Sequence, residues 1–424
     1  MIYIGKPYIE EREGRVHLTS HITNELECKN IDIFYSVEPE YAKFLCYEQA
    51  DAFVIPMLLR AIVTGQDIEV DAPLSEKLLH NLQYGVVYAL TNLSMKNIKY
   101  PNDVPTLAET FKKYINYRKR EPIQVISKGK SSYDYKGNAV GTGCSLGVDS
   151  ISVIKKYLLD DNCMSNYRLT HFACFNVGAF GTHNTENTRS SFYREVNRIK
   201  QFAQKLNLPV VAVDTNLHEF YPELSFNWNY VFMNMGAVLA LQKLWNKYIF
   251  ASANPCDKFE FDIFFNGKYT PFLLPHLCTE STELIEGDME KSRSAKVNYI
   301  MNDDIVKKNL NVCLKEQSKN NNTRHSDVNS RYINCGYCEK CLRTILQLEI
   351  YGKLEDFEDI IDLSHWKHLK PYYLGKVIAC RKDNLMYDDI LNTITSEYHI
   401  PLFSKIYAKI YKPYQIIKKV LKRK

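Results

Sequence analysis

Short apolar runs and amphipathic stretches alternate along most of the 424-residue chain, and their order predicts an α/β protein. In the first third, Val16-His17-Leu18 and Ile31-Asp32-Ile33-Phe34-Tyr35 read as strands. A mainly apolar stretch from Ala50 to Val63 reads as a buried helix that Gly65 ends, and Ile68-Glu69-Val70 follows as a strand. Asp71-Ala72-Pro73-Leu74-Ser75 then starts an amphipathic helix through Leu78, Leu79 and Leu82. Residues 127–138 are polar and turn-rich, which marks a boundary.

From Ala139 the alternation becomes regular. A strand end at Ala139-Val140 meets a glycine-containing turn, and apolar spacing at Ile151, Ile154 and Leu158 makes the next segment helical. Strands at His171–Val177, Pro209–Asp214 and Tyr248–Ala253 are separated by helices at about 190–206 and 233–245. Such a series folds as a parallel sheet that binds ligands at its strand C-terminal ends, which here carry Ser145, Asn176, Asp214 and Ser252. Residues 315–330 are polar and read as an exposed loop, and beyond 345 the pattern is helical. The expected organisation is an N-terminal α/β domain over 1–130, a second α/β domain over 131–345 and a helical region over 346–424.

Bulk composition changes this picture little: 45% hydrophobic and 24% charged residues suit a globular protein. The net charge of +5 comes from one end. Residues 405–424 hold eight Lys or Arg and no acid, so the remainder has 46 bases against 49 acids. Neither a secretory leader nor a membrane-length apolar run is visible, so a cytoplasmic location is expected. In a reducing compartment the twelve cysteines are thiols or metal ligands.

The candidate chemistry starts at Gly141-Thr142-Gly143-Cys144-Ser145-Leu146-Gly147-Val148-Asp149-Ser150. Small residues at a strand-to-helix turn let backbone amides approach an anion. No Gly-Lys-Ser/Thr ends the loop, which excludes the nucleoside-triphosphatase P-loop, and the glycine frame does not fit a dinucleotide fingerprint. Ser145, Gly147, Asp149 and Ser150 match the Ser-Gly-Gly-X-Asp-Ser signature, so the segment resembles the PP-loop ATP pyrophosphatases (adenine nucleotide α-hydrolase-like); Leu146 replaces the first glycine. That resemblance implies ATP cleavage to AMP and pyrophosphate, with Mg²⁺, on a parallel doubly wound sheet of HUP type. It places ATP on Gly143, Ser145, Leu146, Gly147, Val148, Asp149, Ser150, Asn176, Val177, Gly178, Asp214 and Ser252, with Asp149 and Ser150 in catalytic roles. Arg293 and Lys296, in the polar segment after the last sheet strand, are catalytic candidates that counter the triphosphate charge, or else lie on a solvated helix face.

Cys335-Gly336-Tyr337-Cys338-Glu339-Lys340-Cys341 spaces three thiols at two-residue gaps, and Cys313 lies upstream with 21 residues between it and Cys335. Four thiolates suit tetrahedral Zn²⁺; an iron-sulfur cluster or redox thiols are the alternatives. The segment resembles the zinc site of the 7-cyano-7-deazaguanine synthase family, itself of PP-loop type. The likeness spans roughly 139–345, and the flanking parts imply another, larger acceptor.

Glu280, Glu283 and Asp288 are candidates for Mg²⁺ or a substrate amine, or else lie on a solvated helix face. His183 and His218 are weaker candidates. The basic tail, with Ile406, Ile410, Ile416, Ile417, Val420 and Leu421, reads as an amphipathic helix interrupted near Pro413 that could touch anionic lipid or RNA, or else as a solvated terminus. The expected function is an adenylating enzyme that activates a carboxylate-type small molecule for C–N bond formation. A tRNA-modifying PP-loop enzyme and a nucleotide-binding pseudoenzyme subunit are the alternatives. Oligomeric state is left open.

Overall fold

The computed structural model describes residues 1–94, 121–180, 186–220, 226–262, 265–313 and 332–421. They form two compact units, one of residues 1–144 with 156–289 and one of 145–155 with 290–424.

The first unit is built on one eleven-stranded sheet in the order β11-β10-β7-β8-β9-β4-β3-β1-β5-β6, with β2 added on β3. The strands are β1 Ile2–Ile4, β2 Tyr8–Arg12, β3 Arg15–Asn24, β4 Lys29–Val37, β5 Ile68–Ser75, β6 Val125–Ser131, β7 Ala139–Gly143, β8 His171–Asn176, β9 Val210–Thr215, β10 Trp245–Ala251 and β11 Glu283–Gly287. β7 to β11 are all parallel, and within this half the spatial order is third, second, first, fourth, fifth. In such an order ligands bind beyond the strand C-termini where the order reverses, here beside β7 and β10.

The N-terminal strands join the same sheet. β4 pairs antiparallel with β9 through Tyr35 with Thr215 and Ser36 with Asp214. The Asn216 side chain accepts from Phe34 N and donates to Asp32 O, and Arg15 donates to the carbonyls of Ser36 and Ala212. This seam makes one sheet across the boundary expected between 1–130 and 131–345. The helix Asp51–Thr64 is buried along its whole length and ends at Gly65 in the left-handed conformation. It packs on the helix Phe226–Leu239, where a Cβ on Gly236 would meet Pro56 Cγ and Tyr35 Oη at 2.6 Å.

Four sequence expectations change. Asp71–Ser75 continues β5 because a register shift against β6 between Val70 and Pro73 accommodates the proline; the helix begins at Glu76 with Ser75 as its cap. The polar stretch 127–138 contains most of β6, an edge strand whose lysines face outward. The helix placed at 233–245 is Phe226–Leu239, and Trp245 opens β10. The segment read as a helix face holding Glu283 is β11, paired in parallel with β10.

The second unit is mainly helical: Val148–Ile154, Arg293–Ile300, Asp304–Asn309, Glu339–Ile350, Trp366–Ala379, Leu385–Asn392 and Leu402–Leu421. It takes in the cysteine segment and the helix after the glycine loop, so its limits differ from the expected 346–424. The loop expected at 315–330 lies outside the described residues. Among the described residues, no helix is long and apolar enough to cross a membrane.

Candidate functional site

Gly147 caps the helix Val148–Ile154 without a side-chain hydrogen bond, which leaves the first-turn amides without a capping side chain. Ser150 Oγ lies 3.2 Å from Ser145 Oγ and donates to the Gly147 carbonyl at 3.1 Å. Leu146 adopts φ +55°, the left-handed region that glycine occupies most easily, and its side chain is 1% exposed. Its carbonyl accepts from Asn311 N at 2.8 Å. Leu146 therefore combines a glycine-like backbone with a buried apolar anchor. Val148 is fully buried.

The second unit gathers positive charge around one carboxylate. Arg293 Nη1 donates to Asp149 Oδ2 at 2.5 Å, and Lys296 Nζ lies 3.5 Å from Oδ1. Both cations come from the helix Arg293–Ile300, which Ser292 caps by accepting from Ala295 N. The Lys296 side chain is 1% exposed, and this carboxylate contributes to compensating its buried ammonium. Burial pushes the Asp149 carboxyl upward, but Arg293, Lys296 and Arg343 outweigh it and hold the group below its ordinary range. Arg343 and Lys340 are each lowered, first by burial and then by neighbouring guanidinium groups. Arg293 Nε and Arg343 Nε are buried donors with no hydrogen-bond partner among the described residues. Orphaned guanidinium donors in a cation-rich cluster suit a polyvalent oxyanion.

Lys340 and Arg343 were not anticipated from sequence. Their signal is position: both lie on the helix Glu339–Ile350, which starts within the cysteine segment.

That segment brings together all four expected ligands. The sulfurs of Cys313, Cys335, Cys338 and Cys341 lie within 4.8 Å of one another, with Cys335 and Cys341 at 3.9 Å. A tetrahedral zinc site with bonds of about 2.3 Å needs sulfur separations near 3.8 Å. These donors fit a single ion, whereas a multi-iron cluster would spread them over several metals. Gly336, at φ +74°, is required, because a Cβ there would stand 1.7 Å from the Asp362 carbonyl. Asn334, fully buried, accepts from Val312 N and donates to the Leu310 carbonyl, fastening the segment before Cys313 to the loop of Cys335.

The remaining expected residues belong to the first unit. Gly143 ends β7 and Ser252 follows β10, on the two strands where the order reverses. Ser252 is buried and donates to the Asn254 carbonyl. Asn176 Nδ2 donates to Asp214 Oδ1 at 2.6 Å, Arg189 lies 3.9 Å from Asp214 Oδ2, and Asn176 Oδ1 is buried without a partner among the described residues. Val177 is buried and Gly178 takes φ +102°.

The acids around β11 do not form one cation site. Glu280 accepts from Ser75 Oγ and Lys77 N, fixing the start of the helix Glu76–Asn81. Glu283 pairs with Lys247 at 3.5 Å, and Asp288 lies 3.9 Å from Lys156. Glu283 and Asp288 bracket the strand, about 17 Å apart at 3.3 Å per residue. A cavity of about 720 Å³ lies along β11 and the helix Thr270–His276, lined in part by Lys77, Lys136, Glu280 and Glu283. His218 is buried in the turn after β9, and His183 lies outside the described residues. No family model, curated protein or solved structure matches this chain.

Proposed function

We propose that this protein cleaves ATP between the α and β phosphates and transfers the adenylyl group to an oxygen of a carboxylate-type small molecule, which a nitrogen nucleophile then attacks. The supporting observation is the group of four cations, Arg293, Lys296, Lys340 and Arg343, whose charges converge on the signature aspartate Asp149. Negative charge grows on the leaving pyrophosphate as the α,β bond breaks, and preplaced cations in a water-poor site stabilise that charge. Asp149 holds the Arg293 and Lys296 head groups in position and is the candidate Mg²⁺ ligand. Ser145, Gly147 and Ser150 supply short side chains and backbone amides for phosphate oxygens. The adenine and ribose roles expected for Asn176, Val177, Gly178, Asp214 and Ser252 belong to the same proposal, as does the HUP-type classification of the sheet. The four thiolates hold Zn²⁺ in a closed site, which fixes the segment bearing Lys340 and Arg343 and takes no part in the chemistry.

The test is product analysis with ATP, Mg²⁺ and candidate carboxylates. AMP and pyrophosphate in equal amounts support the proposal, whereas ADP excludes α,β cleavage. Bound nucleotide without turnover under every acceptor replaces it with the pseudoenzyme reading, and strict dependence on tRNA replaces it with RNA modification.

A further inference from the structure

The helix Leu402–Leu421 rests on the helix Trp366–Ala379 by one face only. Ser404 is buried, and Tyr407, Ala408, Tyr411 and Gln415 are half-buried, at the three- and four-residue steps of a packed helical stripe. Gly375 permits this close approach, since a Cβ there would lie 2.8 Å from Tyr407 Cδ1 and 2.9 Å from the Ser404 carbonyl. The opposite face is apolar and open: Leu402 is 72% exposed, Phe403 46%, Ile406 52%, Ile410 53% and Tyr414 51%. At 100° per residue, Leu402, Ile406, Ile410 and Pro413 fall within about 80° of one another, and the stripe from 402 to 414 is about 18 Å long. The sequence repeats the pattern at Ile417, Val420 and Leu421. Lys405 and Lys409 border one side of this stripe, Lys412 beside them pairs with Asp383 at 2.7 Å, and residues 405–424 contain no acid.

We propose that this helix is an interfacial anchor that lies flat on an anionic lipid surface. Its open stripe enters the boundary between headgroups and acyl chains, and the bordering lysines reach lipid phosphates. Charge selects this occupant over two others. A second copy packed stripe to stripe would bring rows of lysines together with no acid from this segment to pair them. A nucleic acid would engage the lysines and leave the apolar stripe in water. The inference is independent of the adenylation reading, because none of these residues belongs to the Asp149 cluster or the cysteine site.

The test is sedimentation of the full-length chain with phosphatidylcholine vesicles, with and without phosphatidylglycerol. The chain should pellet with the anionic vesicles, and rising salt should weaken the association. Ile406→Ser with Ile410→Ser should lower partitioning roughly fiftyfold, from the apolar area that no longer enters the lipid. Lys405→Gln with Lys409→Gln should lower it roughly thirtyfold, from about 1 kcal/mol per lysine near an anionic surface. All four positions are exposed, and an unchanged circular dichroism melt confirms that the variants fold. The proposal is overturned if the wild type stays in the supernatant, or if the double isoleucine variant partitions like the wild type. Self-association abolished by the isoleucine changes, or RNA binding without vesicle binding, would equally overturn it.

Discussion

Replacing Leu146 with the glycine of the pyrophosphatase signature should destabilise the protein. Two effects oppose each other at this position. A side chain at φ +55° carries a backbone penalty of roughly 1–2 kcal/mol, which glycine removes. The same side chain is 1% exposed, and deleting a buried leucine costs about 2–5 kcal/mol, with a further cost of about 0.5–1 kcal/mol for the freedom glycine adds to the unfolded chain. Burial wins, and the net loss is about 2–4 kcal/mol. Leu146→Ala is the informative control. Alanine keeps the left-handed strain and loses nearly the same burial, so it should be less stable than the glycine variant by roughly 0.5–1 kcal/mol. Urea unfolding of the full chain, compared by midpoint at constant slope, ranks the three proteins. The expected order is leucine, then glycine, then alanine. An alanine variant as stable as the glycine one would refute the left-handed backbone, and a glycine variant more stable than the wild type would refute the packing argument.

Three further outcomes follow from other sites. Metal analysis should give about one zinc per chain, and Gly336→Ala should abolish it, because the new Cβ cannot coexist with the Asp362 carbonyl; retained stoichiometric zinc in this variant would rule out the loop geometry. Asp51 is raised from 3.8 to about 6, mainly by burial, against hydrogen bonds from Ser75 and Gln242. Folding therefore favours its protonated form, so this contribution is complete below the unfolded value and is lost as pH rises through about 6. Between about pH 5 and pH 7 the wild type should lose roughly 1 kcal/mol that Asp51→Asn does not, and parallel pH profiles would contradict this. Arg343→Met should weaken ATP binding roughly thirtyfold by calorimetry, about 2 kcal/mol for a charge-assisted contact, without lowering the melting temperature. Lower stability with unchanged affinity would make Arg343 purely structural.

The elements most legible in the sequence were those whose local pattern and final environment agree. Residues 51–64 are buried on every side, so nearly every position is apolar and the helix announces itself. β8 and β9 are central strands with continuous apolar runs for the same reason. β6 and β11 lie at the sheet edges, where one side meets solvent, so lysines in the first and glutamates in the second mask the strand pattern. The four thiols were readable because metal spacing is local; the clamp that delivers Cys313 is one buried asparagine, Asn334, with no pattern of its own. Lys340 and Arg343 acquire meaning only when the fold sets them beside Arg293 and Asp149, and no periodicity encodes that meeting.

The two parts of the second unit also depend on each other electrostatically. Cys338 caps the helix Glu339–Ile350 and Cys341 lies in its first turn, so the thiols and the cations Lys340 and Arg343 are carried by the same few residues. Burial and mutual repulsion disfavour the charged forms of both cations, and Asp149 is a single carboxylate shared among four positive groups. Four thiolates around one Zn²⁺ carry a net charge of −2, and Cys338 already acts on Lys340 to favour its charged form. A filled site would therefore orient this segment and also supply counter-charge to the cluster. Chelation would remove both effects together, and an anion bound at Arg293 and Arg343 would restore part of the lost compensation. Stripped protein should therefore regain more thermal stability from pyrophosphate than the zinc-loaded form does, a difference a paired melting experiment reads directly. Equal stabilisation of the two forms would show that the thiols and the cations are neighbours without being coupled.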